Sequence, residues 1–267
     1  MRQGRAKHAL FIVLCFGIIS PTVYDQFFEN VYMDENQIII GLVWYVVFVF
    51  STSCHEAAHA FAAMKLGDYT GYNNGQVTLH PFAHIRQSPV GMVVVPIISF
   101  VLGGWMFGWA SCPYDPEWAR LYPKRETVMS LAGPAANLLL VIIAAIAIRV
   151  GIGMGIFYLP ESITMSRLVG AETGTILNSA AIMLSVMFTL NLFLCIFNMM
   201  PVPQLDGGSL LKMLVNKTSA LQYQNLLANP TFMIVTMIVA WRAMGYIASP
   251  VHNVAVNILF YPVASYH

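Results

Sequence analysis

Long apolar stretches separated by short polar ones dominate the chain. Residues 9–23, 38–66, 90–110, 127–150, 176–197 and 231–261 are each predominantly apolar, and about 20 such residues suffice to cross a bilayer as a helix. The pattern predicts an all-α polytopic membrane protein of about 5–6 transmembrane helices. The 67–89 stretch breaks the helical period. Asn74-Gly75 is a turn signal, and Gln76-Val77-Thr78-Leu79 alternates as a short strand does before Pro81. A small membrane-associated β element is therefore expected there, with an open edge on which an extended peptide could pair. Residues 151–175 read as a Gly-rich loop, and Pro201, Pro203, Gly207 and Gly208 interrupt the chain after the 176–197 span. No internal repeat or long hydrophilic linker divides the chain, so residues 1–267 read as a single domain.

Composition agrees: 58% of the 267 residues are hydrophobic and 9% charged, against roughly 25% charged in soluble domains. The mean hydropathy is +0.67. A net charge of +1 leaves no footing for nucleic-acid binding. The four cysteines form no CxxC pair, so a disulfide framework is not expected. Arg2, Arg5 and Lys7 precede the first apolar stretch, with no small-residue cleavage site after it. It reads as a retained span with a cytoplasmic N-terminus. Residues 24–37 carry Asp25, Glu29, Asp34 and Glu35 without Lys or Arg, which suits the outer side. The 38–66 helix then runs inward.

Within that helix lie His55, Glu56 and His59, where a charged side chain costs at least a few kcal/mol. His55 and His59 fall one turn apart on one face, with Glu56 adjacent. This His-Glu-x-x-His spacing lets two imidazoles hold zinc while the Glu serves as base. At 1.5 Å per residue His55 sits roughly 25 Å along the helix, in the cytoplasmic half of the bilayer. Catalytic zinc usually takes a third protein ligand. Asp206, between apolar neighbours in the broken segment after 176–197, suits that role best. Glu117 and Glu126 fall in a charged loop and are expected to be solvated, and Asp68 is a loop residue. For Asp206 to reach the depth of the histidines, 90–110 must enter the membrane and return. A full crossing would leave Asp206 on the opposite side. The re-entrant path also keeps Arg120, Lys124, Arg125, Lys212 and Lys217 inside.

His55-Glu56-x-x-His59, Ala132-Gly133-Pro134-x-x-Asn137 and Asn198-x-x-Pro201-x-x-x-Leu205-Asp206-Gly207 together resemble the site-2 protease family of intramembrane zinc metalloproteases, over about residues 38–215. The similarity is to the compact bacterial and archaeal type without a PDZ domain, and 67–85 looks like the family's membrane-associated strand segment. The resemblance implies one zinc ion held by His55, His59 and Asp206. It implies Glu56 as the catalytic base, and Asn198 and Asn137 as groups that position substrate or stabilise the oxyanion. It further implies an endopeptidase of membrane-anchored proteins acting in regulated intramembrane proteolysis. The partners would be transmembrane protein or peptide substrates and the lipid bilayer, with the active site toward the cytoplasm of a bacterial or archaeal cell membrane. His80 stands where Asn is expected before the proline, which makes His80 and His84 candidates for extra metal contacts beside the plainer reading of hydrogen-bonded loop histidines. A metal-ion transporter is the alternative, since intramembrane His and Asp also mark ion pathways. A di-iron bundle would need a second Glu-x-x-His, which the chain lacks.

Overall fold

The computed structural model describes residues 35–214 and 229–262. The expected first span at 9–23, the acidic segment before residue 35 and Lys217 lie outside the described residues. Helix α1 (Glu35–Leu66) ends in a left-handed Gly67 at φ 103°. There Asp68 N donates to Ala63 O at 2.9 Å and Gly67 N to Met64 O at 3.3 Å, the paired bonds with which glycine closes a helix. Short helices α2 (Thr70–Asn73) and α3 (Pro81–Gln87) follow.

After a break at Ser88 the chain turns by 116° into a π-helical turn (Val90–Val94) that continues as α4 (Val95–Gly103). Gly104 then reverses it at φ 70°, and residues 105–111 return alongside. Trp109 N donates to Gly91 O at 3.1 Å, Phe107 N to Ser99 Oγ at 3.1 Å, and Ser88 and Ser111 hydroxyls meet at 3.2 Å. This backbone approach needs Gly91 and Gly108, because a Cβ on Gly91 would strike Trp109 and one on Gly108 would strike Gly91 O. Asp115 caps α5 (Pro116–Leu121), and α6 (Pro123–Gly153) runs back along α1. Arg125 Nη1 donates to Leu66 O at 3.0 Å, so 67–122 leaves and rejoins the same end of the bundle.

Residues 154–175 fold over the other end and bury Leu168, Val169 and Ala171. Thr175 caps α7 (Ile176–Asn198), which lies antiparallel to α6 and parallel to α1. After Asn198 the chain makes tight turns into α8 (Gly208–Leu214). Last comes α9 (Pro230–Phe260), one helix continuing through Pro250. Among the described residues, α1, α6, α7 and α9 are long and apolar enough to cross a membrane, and the bent 81–103 pair would add a fifth span. The main apolar cores lie between α6, α7 and the 154–175 loop, around Ile148, Leu168 and Phe188, and between α1, α7 and the returning segment, around Trp44, Phe48 and Met92.

The expected β element does not form. Residues 77–79 are bends and Gln76 is irregular rather than part of a strand, and among the described residues the only bridges are isolated ones at Tyr158–Gly170 and Thr164–Arg167. The physical reason is local. Gln76 Nε2 donates to Ala83 O at 3.2 Å, and His84 Nε2 lies 2.8 Å from Thr78 O. The segment spends the Gln76 amide and the Thr78 carbonyl on α3 instead of on a ladder.

Candidate metal centre

α1, α6 and the turn after α7 converge at one point. His55, Glu56 and His59 are 7%, 5% and 5% exposed. The histidine Nε2 atoms lie 3.0 Å apart. Asp206 Oδ2 is 3.1 Å from His55 Nε2, and Asp206 Oδ1 is 3.4 Å from His59 Nε2. The three residues are the one His/Cys/Asp/Glu group among the described residues whose ligand atoms lie close enough to share a metal ion.

Asp206 reaches this position because the turns after α7 fold back on the helix end. Gly207 N donates to Asn198 O at 2.7 Å and Leu205 N to Val202 O at 2.9 Å. A Cβ on Gly207 would collide with the carbonyls of Met199 and Met200. Ser209 Oγ donates to Asp206 O at 2.7 Å and braces the turn from below.

The ring orientations are fixed from behind. His59 Nδ1 donates to Met129 O at 2.8 Å, since a carbonyl only accepts, and this turns Nε2 toward the cluster as the nitrogen available to a metal. Pro134, inside α6, withholds the N–H that Ser130 O would have received and loosens the ladder beside that carbonyl. His55 Nδ1 lies 2.5 Å from Asn137 Oδ1. Asn137 Nδ2 donates to Asn191 Oδ1 at 2.8 Å, and Asn191 Nδ2 donates to Ser51 Oγ at 2.9 Å and Met187 O at 2.8 Å.

The donor set fits a divalent metal on three observations. The two Nε2 atoms face each other at 3.0 Å while each ring's Nδ1 is engaged from behind. Asp206 Oδ2 is buried without a hydrogen-bond partner. Gly133 lies against both rings, and a Cβ there would sit in contact with both Nε2 atoms. Two imidazoles and a carboxylate are also the oxygen and nitrogen ligands zinc accepts with a position to spare.

Several sequence expectations are redrawn. Asn137 is 0% exposed, and its amide is engaged at both ends, by His55 and Asn191. Asn191, also 0% exposed, was not singled out from the sequence, although an Asn inside an apolar span is itself a costly polar group that asks for a partner. Asn198 is half-buried at the α7 terminus, with its carbonyl holding Gly207. Glu126 is buried, at 4% exposed, rather than solvated, and the loop residue Asp68 is buried to the same degree. Asp68 accepts from Thr70 N at 2.9 Å and Asp115 N at 3.0 Å and so ties the start of the excursion to its return. Glu117 is exposed and paired with Arg120. His84 is buried against Thr78 and His80 is exposed; neither joins the cluster. Glu56 accepts no hydrogen bond from the described residues. Burial, joined by the charges of Glu56 and Asp68, pushes the Cys112 thiol up to about 12.

Comparison with known proteins points the same way. The sequence pattern of peptidase family M50 matches residues 43–240. YwhC of Bacillus subtilis, named as a candidate zinc metalloprotease, is 30% identical over 171 residues, covering 64% of this chain and 68% of YwhC. Rip2 of Mycolicibacterium smegmatis, named likewise, is 32% identical over 93 residues, 35% of this chain and 34% of Rip2. Rip2 of Mycobacterium tuberculosis is 33% identical over 99 residues, 37% of each chain. No solved structure matches.

Proposed function

The chain belongs to peptidase family M50, the site-2 protease family, and from that membership we propose that it is a zinc-dependent endopeptidase that hydrolyses peptide bonds within or near transmembrane segments of membrane-anchored proteins, in regulated intramembrane proteolysis. One observation carries the reading. His55, His59 and Asp206 converge beside Glu56 in a bundle whose helices are apolar enough to lie in a bilayer.

His55 Nε2, His59 Nε2 and one Asp206 oxygen would hold the ion. Zinc bound there supplies a Lewis acid for the scissile carbonyl and makes water acidic near neutral pH. Glu56 is the base. Its carboxylate accepts no hydrogen bond from the described residues, so it is free to take a proton from water and return it to the leaving nitrogen. Asp206 stays ionised as a ligand. Asn198, at the α7 end beside the Asp206 turn, is the candidate for positioning substrate. The 154–175 loop excludes water from the opposite end, where Trp44 Nε1 donates to Ser166 Oγ at 2.8 Å and Leu168 N to Ser185 Oγ at 2.9 Å.

Orientation follows from charge. Lys65, Arg86, Arg120, Lys124 and Arg125 gather at the end where 67–122 leaves and returns, which supports a cytoplasmic active-site end in a bacterial or archaeal cell membrane. Transport of the metal is not favoured, because it gives no role to a Glu held beside the first ligand. Replacing Glu56 by Gln separates the readings. Uncleaved membrane stubs should accumulate in cells carrying only the variant, which keeps its zinc. An unchanged membrane-fragment proteome would sink the proposal.

A further inference from the structure

We propose that Asn191 is a positioning residue that sets the tautomer of His55 through Asn137, so that a backbone carbonyl on α7 decides which His55 nitrogen is free to bind metal. The inference rests on the reading of His55 as a metal ligand and extends it to a residue outside the ligand set.

A primary amide has one accepting oxygen and one donating nitrogen, and its two orientations differ little in shape. What selects between them is a neighbour that can only accept or only donate. Asn191 Nδ2 lies 2.8 Å from Met187 O, 3.2 Å from Met187 Sδ and 2.9 Å from Ser51 Oγ. A carbonyl and a thioether are both acceptors, so the nitrogen must face them. Asn191 Oδ1 then faces Asn137, whose nitrogen must donate to it at 2.8 Å. That leaves Asn137 Oδ1 against His55 Nδ1 at 2.5 Å, and Nδ1 must carry the proton. His55 Nε2 is thereby the nitrogen offered to the metal position, 3.0 Å from His59 Nε2 and 3.1 Å from Asp206 Oδ2.

Asn137, Asn191 and Ser51 are all 0% exposed, so water cannot stand in for a missing member. His59 needs no such relay because Met129 O meets it directly beside the proline-loosened turn. At His55 the side-chain amide of Asn137 takes that place. An amide can flip, and Asn191 is what prevents it.

The test uses the full chain purified in detergent micelles, with zinc affinity measured by competition against a chromophoric chelator and the visible spectrum of the cobalt-loaded protein as a second readout. Asn191→Leu lets the Asn137 amide turn its N–H toward His55, which moves the imidazole proton to Nε2. Zinc affinity is expected to fall about 10- to 100-fold, with a changed cobalt spectrum. Asn137→Asp in that background presents an acceptor in either orientation and should restore affinity to within a few fold. Asn191→Ser replaces the leucine variant if the latter does not fold, with the same expectation and the same rescue. Unchanged affinity in the Asn191 variants, or a double variant as weak as the single one, overturns the relay while the metal site stands. A wild-type chain that binds no zinc overturns the site reading itself.

Discussion

Helices α1 and α9 are nearly matched in length and composition yet differ in what surrounds them. α1 has 32 residues and α9 has 31, with span hydropathies of 1.9 and 1.5. The apolar window of α1 is 44% buried within the protein and that of α9 only 6%. α1 carries Ser51, Ser53, His55, Glu56 and His59 on buried faces, each costly in hydrocarbon, and Ser51, His55 and His59 meet partners on α6 and α7. The few inward holds of α9 include Trp241, stacked on Trp105 with centroids 5.8 Å apart, Thr236 Oγ1 donating to Gln204 at 3.2 Å, and Arg149 capping its end at Leu259 O, 3.0 Å away. In a bilayer, where apolar faces gain nothing by leaving lipid, helices pack tightly where polar groups and small residues demand it. Depth of burial here follows the chemistry rather than the hydropathy.

The sharpest separation of the two helices is Glu56→Gln, expected to lower peptide cleavage about 10²- to 10⁴-fold in an assay with a transmembrane peptide, while zinc content holds at the wild-type level. Zinc lost along with activity would make Glu56 part of the binding site instead. Gly133→Ala places a methyl group between the rings and α6, and its zinc affinity should fall at least about tenfold by chelator competition. Retained affinity would show that α1 and α6 can part without cost. Trp44→Ala in the α1 core should cost ~3 kcal/mol in detergent unfolding, whereas Val239→Ala, 59% exposed on α9, should change stability by less than about 0.5 kcal/mol. Equal losses would erase the contrast between the helices. The smallest effect concerns Cys112. A thiol titrating near 12 has almost no thiolate at pH 8, since its pKa is raised and the anion forms only above it. Iodoacetamide should label it slowly until the protein is unfolded.

Much of the metal centre was legible in the sequence because its signals are local or costly. His55 and His59 share a helix face by spacing alone, and an Asp between apolar residues in a broken helix asks for a cation. The return of 90–110 followed from requiring Asp206 at the depth of the histidines, and the Arg125–Leu66 contact gives that excursion a common start and end. The 76–79 segment misled because alternation over four residues cannot distinguish a strand from a bend whose polar groups are claimed by the next helix. The place of Asn137 in a pattern says nothing of which neighbours take up its amide.

The sequence alone determined that the chain is an apolar helical bundle, where a His-Glu-x-x-His pair lies in it, and which carboxylate must join them, since periodicity and the cost of burying charge act through composition and spacing. Only the tertiary structure decided which polar groups serve one another: that Asn137 holds a ring, that Asn191 orients Asn137, and that Gly133 must lack a side chain. Those assignments depend on contacts between residues 54 and 82 positions apart, whose geometry is set when three helices close on one another.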